Sequence, residues 1–206
     1  MDNTLKLVGI RRDHGRAILT LSNGETFIMP RSMLKERPYR SGMPFDLDSF
    51  REFIAERSYP FAMEKAVSLL AMRPRTQQEI VKALNGNAYP EHTIARVMAR
   101  LDEAGYINDT SFAEQWTSSR SARSMGTRRI QMELRQKGVA SDTIAHVLSN
   151  LDTDDVSAGA LKAARKYAAG KNLSDIKDRQ KIMAALARRG YDYATAKQAL
   201  EALRQE

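Results

Sequence analysis

Residues 127–151 read TRRIQMELRQKGVASDTIAHVLSNL, and the apolar positions of this stretch decide the fold. Ile130 and Leu134 are four residues apart, a spacing that places both side chains on one stripe of a helix. A second apolar cluster follows at helical spacing: Ile144, Val147, Leu148 and Leu151. Because Gly138 lies between the two clusters, the stretch predicts two amphipathic helices joined by a tight turn.

The same pattern occurs twice more, 50 residues earlier and 52 residues later. Ala88 and Gly190 stand where Gly138 stands in the middle copy. A further helix is predicted ahead of each pair, at 59–72, 109–123 and 155–170. The recurring apolar positions are Ile80, Leu84, Ile94, Val97, Met98 and Leu101 in the first copy and Ile182, Leu186, Ala196, Ala199, Leu200 and Leu203 in the third.

Three such helices form a helix-turn-helix-like bundle, and bundles in series form a repeat protein. The predicted fold is therefore mainly α, with tandem three-helix repeats in an elongated array. The predicted repeats span residues 58–107, 108–151 and 152–206.

Residues 1–57 have a different pattern, rich in aliphatic and β-branched residues at 5–10, 16–21 and 25–29. Asn23-Gly24 predicts a two-residue hairpin loop with a type I′ turn, in which both central residues have positive φ. We expect a small antiparallel β-meander followed by a short helix that begins near Asp48.

Composition excludes several classes of protein. The chain has no cysteine, and its three histidines, His14, His92 and His146, are far apart, so we expect no disulfide and no metal site. No stretch approaches the roughly 18 to 20 apolar residues of a membrane helix, and the N-terminus is charged where a signal peptide would be apolar. We expect a cytoplasmic protein.

Lysine and arginine exceed aspartate and glutamate by 33 to 25, a net charge of +8. This excess favours a polyanionic partner through phosphate contacts. The charge is concentrated between Arg120 and Lys137, where six basic residues accompany one acid, Glu133.

The second and first repeats resemble the RecX family of bacterial regulators, and the resemblance extends over residues 59–204. In the second repeat it is carried by Gly105-Tyr106-Ile107-Asn108-Asp109, Phe112-Ala113, Arg123, Gly126, Arg129-Ile130, Glu133-Leu134 and Lys137-Gly138-Val139. In the first repeat it is carried by Ala66, Leu69-Leu70, Arg73, Thr76 and Glu79-Ile80.

This resemblance implies a monomeric, cytoplasmic protein without a cofactor that acts in DNA recombination, DNA repair and the SOS response. It implies binding in the groove of the RecA filament, with inhibition of the filament's ATPase, strand-exchange and co-protease activities. It further implies weak, non-specific affinity for single- or double-stranded DNA.

On a helix over 127–137, Arg128, Met132 and Arg135 fall opposite the apolar Ile130 and Leu134. A solvated basic surface explains this face as well as a binding surface does. The candidate residues for binding the RecA filament or DNA are Arg120, Arg123, Arg128, Arg129, Arg135 and Lys137 in the second repeat and Lys162, Arg165, Lys166, Arg188 and Arg189 in the third.

No phosphate-binding loop, dinucleotide-binding glycine motif or metal-ligand spacing occurs, so we predict no catalytic residues and no enzyme. Trp116, four residues after Phe112, is expected in the core rather than as a platform for stacking bases. The alternative function is a sequence-specific helix-turn-helix transcription regulator. Such a regulator binds its duplex alone, whereas a RecX-like protein needs the RecA filament for tight binding.

Overall fold

The structure, a computed structural model, describes residues 5–205. It begins with a three-stranded antiparallel sheet of β1 (Leu7–Asp13), β2 (Arg16–Leu21) and β3 (Thr26–Pro30), in which β2 is central. Every second side chain of β2 is buried, as expected where one face of a sheet covers a core. The predicted meander is therefore confirmed, although its strand ends are shifted.

The loop between β2 and β3 is not the type I′ turn that Asn23-Gly24 predicted. Gly24 has a φ of 87°, but Asn23 does not have positive φ. Instead, the side-chain oxygen of Asn23 accepts a hydrogen bond from the backbone N–H of Glu25 at 3.0 Å. This local bond stabilises a longer loop in which one left-handed glycine suffices.

Nine α-helices follow in the described part of the chain. They are α1 (Leu47–Met72), α2 (Gln77–Gly86), α3 (Glu91–Glu103), α4 (Asp109–Ala122), α5 (Thr127–Gln136), α6 (Ser141–Ser149), α7 (Thr153–Ala168), α8 (Ile176–Arg188) and α9 (Tyr193–Gln205). Within residues 5–205, no helix combines the length and the apolar composition that crossing a membrane requires.

The prediction of two helices, a short one before residue 57 and a separate one at 59–72, is wrong because the structure has a single helix there. α1 is a single helix of 26 residues that contains Pro60 and is capped at its N-terminus by Asp46, whose side chain accepts from Ser49 N–H at 2.6 Å. Proline removes one helical hydrogen bond. However, Phe50 before it packs on the sheet and Ala62 after it packs on the first repeat, so packing on both sides keeps the helix continuous.

The recurring apolar positions form the cores of three three-helix repeats, α1–α3, α4–α6 and α7–α9. The expected stripe of each repeat is buried or partly buried, and Ile80, Ile130 and Ile182 have no exposed surface. The predicted repeat fold is confirmed by these three clusters. The turn that follows the second helix of each repeat has a left-handed residue at the equivalent position, with φ of 62° at Ala88, 80° at Gly138 and 92° at Gly190.

The chain divides between Asn108 and Asp109 into two compact units. Within the second unit, the second and third repeats meet backbone to backbone. The N–H of Gly126 donates to the carbonyl of Arg189 at 2.9 Å, and the N–H of Arg128 donates to the carbonyl of Gly190 at 3.1 Å. A Cβ atom at Gly126 would lie 2.4 Å from the carbonyl group of Gly190, so the contact requires glycine.

Replacing Gly126 with alanine should destabilise the protein by about 1–3 kcal/mol, because the added methyl group meets backbone that has no freedom to move away. The matched control is Gly86→Ala in α2, where no atom lies within 4 Å of the new Cβ and the protein should gain about 0.5–1 kcal/mol. Chemical unfolding followed by far-ultraviolet circular dichroism measures both. Wild-type stability in Gly126→Ala would contradict the contact.

Candidate functional site

The outer face of α5, which we call the α5 face, consists of Arg128, Met132 and Arg135. These side chains are exposed, Met132 to 41%, while Ile130 and Leu134 on the opposite side are fully buried. Within residues 5–205, neither Arg128 nor Arg135 forms an ion pair. The α5 face therefore presents two guanidinium groups on either side of an exposed thioether.

Glu133, on the side of the same helix, accepts hydrogen bonds from three neighbouring side chains. Its carboxylate accepts hydrogen bonds from the indole N–H of Trp116 at 3.1 Å, from Arg120 Nε at 2.7 Å and from Arg129 Nε at 3.0 Å. Only 13% of the Glu133 side chain is exposed. Hydrogen bonds between charged groups are stronger where the groups are partly shielded from water than on an open surface. Because Trp116 and Arg120 belong to α4, this cluster joins α4 to α5.

Two cations also lie over the indole ring of Trp116. The guanidinium carbon of Arg120 is 4.1 Å from the ring centroid, and the ammonium nitrogen of Lys137 is 4.3 Å from it. Phe112 stacks on the same indole at 5.8 Å. Cation–π contacts of this kind contribute about 0.5–2 kcal/mol each. Trp116 thus packs against the core of the second repeat and is partly buried.

The environment of Glu133 keeps this carboxylate ionised at neutral pH. Burial raises the pKa of Glu133, but hydrogen bonds from Arg129, Arg120 and Trp116 and the charge of Arg120 outweigh burial and hold it below the usual 4.5. A permanent negative charge therefore sits among the cations of the second repeat. Arg120 and Arg129 share this one carboxylate, whereas Arg128 and Arg135 on the α5 face form no ion pair within residues 5–205.

Arg189, another candidate, points to the end of α4. Its guanidinium donates to the carbonyl of Ser124 at 2.9 Å, to the carbonyl of Arg123 and to the hydroxyl of Tyr167 at 3.3 Å. Carbonyls at a helix C-terminus lack helical partners and attract cations. Arg189 thereby connects the second and third repeats, while the side chain of Arg123 itself is exposed.

The remaining candidates lie on the third repeat. Lys162, Arg165 and Lys166 are exposed along α7, and Arg188 is exposed at the end of α8. Lys162 borders a cleft that also contains Glu114 and Asp155, so acids dilute its charge. This supports ranking the third repeat below the α5 face.

Sequence reasoning missed the role of Glu133. The four-residue spacing of Arg129 and Glu133 was a usable signal, since such pairs meet on a helix. The bonds from Arg120 and Trp116 had no local signal, because those residues belong to another helix.

Replacing Glu133 with glutamine should lower the free energy of unfolding by about 1–3 kcal/mol, because two arginines and an indole lose a charged acceptor. Fluorescence of Trp116, the single tryptophan of the chain, reports this unfolding. The control Glu114→Gln removes an exposed carboxylate from the neighbouring α4.

The advantage of wild type over Glu133→Gln should depend on pH with a definite sign. A carboxylate whose pKa is lowered on folding stabilises the fold above its unfolded pKa, here about 4.5, and this contribution is lost as the pH falls through the lower folded value. The difference should thus be constant near neutrality and shrink below about pH 4.5. A difference that grows on acidification would contradict the cluster.

Comparisons with known proteins agree with this architecture. Residues 62–101, 108–148 and 154–200 match the first, second and third three-helix domains of RecX. The regulatory protein RecX of Mycolicibacterium smegmatis is 34% identical over 171 residues, which cover 80% of this chain and 91% of that protein. The regulatory protein RecX of Mycobacteroides abscessus is 37% identical over 138 residues, or 66% of this chain and 68% of that one.

A crystal structure of a regulatory protein RecX covers 96% of this chain and 99% of its own, with a TM-score of 0.64 and 20% identity. That likeness establishes a shared fold. The family itself follows from the three matched domains and from the relatives above 30% identity. The chain belongs to the RecX family of regulatory proteins.

Proposed function

We propose that this chain is a non-enzymatic regulator that binds the RecA filament on DNA and inhibits its ATPase, strand-exchange and co-protease activities. Family membership supports the regulatory role. The observation that carries the choice of site is the α5 face, where two unpaired guanidinium groups point to solvent while the neighbouring cations Arg120 and Arg129 bind Glu133.

The exposed cations of the second unit also suit phosphate groups. Arg123, Arg128, Arg135, Lys162 and Lys166 are exposed on it. Each phosphate contact adds salt dependence but no sequence information. We therefore expect weak binding to bare DNA that falls steeply as salt is added. We also propose that the protein functions in the cytoplasm.

The composition of the third helix of the second repeat argues against a transcription regulator that reads bases through that repeat. In helix-turn-helix proteins of the homeodomain type, the third helix reads bases in the major groove, mainly through arginine, lysine, asparagine and glutamine. α6, with the sequence SDTIAHVLS, contains none of these four residue types. In the second repeat the cations lie instead on α5.

The proposed activity is tested by titrating this protein into DNA-dependent ATP hydrolysis by RecA of the same organism. The rate should fall to a low plateau, and the protein alone should hydrolyse no ATP. An unchanged rate at a large molar excess over RecA would overturn the proposal. Tight binding to one duplex sequence without RecA would favour the transcription regulator.

The double change Arg128→Gln and Arg135→Gln should raise the concentration for half-maximal inhibition about tenfold, equivalent to about 1.4 kcal/mol of binding. The pKa of Asp192 is lowered first by the backbone N–H of Thr195 and further by the charge of Arg128. Glutamine is chosen at position 128 because a new carboxylate there would repel Asp192.

The matched comparison is Lys162→Gln with Lys166→Gln on α7, which removes the same charge from the same unit and should weaken inhibition by less than threefold, under about 0.7 kcal/mol. Equal losses in the two double variants would show that RecA responds to overall charge rather than to the α5 face. Circular dichroism verifies that both variants are folded.

A further inference from the structure

A cleft of about 400 Å³ lies within the first unit, between the segment that leaves the sheet and the first repeat. One wall is the short 3-10 helix Arg31–Lys35, which follows β3 directly. The opposite wall is the middle of α1, with Phe61, Lys65 and Ser68, and the end is the turn between α2 and α3. Small-molecule sites in proteins typically enclose about 300–1,000 Å³, so this cleft is of ligand size.

Three cations converge on the cleft from two elements. Arg31 and Lys35 stand at the two ends of the 3-10 helix, and Lys65 faces them from α1. None of the three forms an ion pair with a residue from the described range 5–205. Glu64 is the one carboxylate among the lining residues, so the cleft has a net charge of about +2.

Hydroxyl groups complete the lining. The hydroxyl groups of Ser32 and Tyr89 lie 3.1 Å apart, and Tyr89 is buried, so this pair connects the 3-10 helix to the first repeat. Ser68 also lines the cleft from α1, but its O–H donates to the carbonyl of Lys65 at 2.8 Å. The side-chain amide of Asn87 is fixed at the end of the cleft because it donates to the carbonyl of Ala83 at 2.6 Å.

The walls are held at a set distance by a close contact at that end. Asn87 packs against Gly15, in the turn between β1 and β2, so closely that a Cβ atom at Gly15 would overlap its side-chain oxygen. The sheet therefore packs on the first repeat, and the 3-10 helix that follows it places Arg31 and Lys35 opposite Lys65.

We propose that this cleft binds the phosphate group of a nucleotide, either free or within a nucleic acid strand. Two cationic walls suit the single negative charge of a phosphodiester as well as the roughly two charges of a terminal phosphate, and Arg31 offers paired N–H donors to the phosphate oxygens. In the pair of Ser32 and Tyr89 one hydroxyl donates to the other, so one O–H remains to donate to the same oxygens. This site is separate from the α5 face, and it gives the N-terminal sheet a binding role of its own.

Direct titration of the full-length protein tests the proposal. The probes are a fluorescent ADP analogue and a labelled five-residue oligothymidylate, both measured by anisotropy at low salt. To remove binding at the α5 face, all proteins carry Arg128→Gln and Arg135→Gln. The test variant adds Lys35→Gln and Lys65→Gln in the cleft. The control adds Lys6→Gln and Lys82→Gln, two exposed lysines of the same unit that lie outside the cleft.

Neutralising the cleft should raise the Kd of at least one probe fivefold or more, while the control raises it less than twofold. If the ADP analogue shows this difference, the source is a free nucleotide; if the oligonucleotide alone shows it, the source is a nucleic acid strand. Equal weakening in the cleft and control variants, or no binding of either probe at millimolar concentration, would overturn the proposal.

Discussion

The carboxylate of Glu133 is the interaction on which the candidate surface depends. It is the single acid among six cations between Arg120 and Lys137. By accepting from Arg120, Arg129 and Trp116, it joins α4 to α5 and pairs with two of those cations. Because α5 is held in one rotation by this cluster and by its buried apolar stripe, the remaining guanidinium groups face outward together.

The start of α5 is fixed by a second constraint, the backbone contact between Gly126 and Gly190. Arg189 strengthens it by donating to the carbonyls that end α4. The α5 face is therefore carried by a helix attached at its start to the third repeat and along its flank to α4. Groups held in place before binding lose less entropy when a partner arrives, which suits a small cationic face to a regulatory contact.

The sequence predicts well those features that local periodicity determines. The buried stripes of all three repeats and the left-handed position at Ala88 follow from spacing alone. Features that depend on tertiary contacts are not predicted by local periodicity. Packing on both sides of Pro60, for example, joins two expected helices into one. Arg189 was grouped with surface cations because its acceptors, including Ser124, lie 65 residues away. Such distant partners determine which cations of a basic segment face outward. The candidate site could therefore be predicted from the sequence only in part.

The central claim is that the α5 face contacts RecA, and site-specific photocrosslinking tests it most directly. A photoreactive phenylalanine analogue would replace Met132, between Arg128 and Arg135, and Val67 in α1 as an equally exposed control, at 41% and 47%. With RecA filaments on DNA, the account predicts a crosslink to RecA from position 132 and little or none from position 67. Equal crosslinking from both positions, or none from position 132, would contradict it.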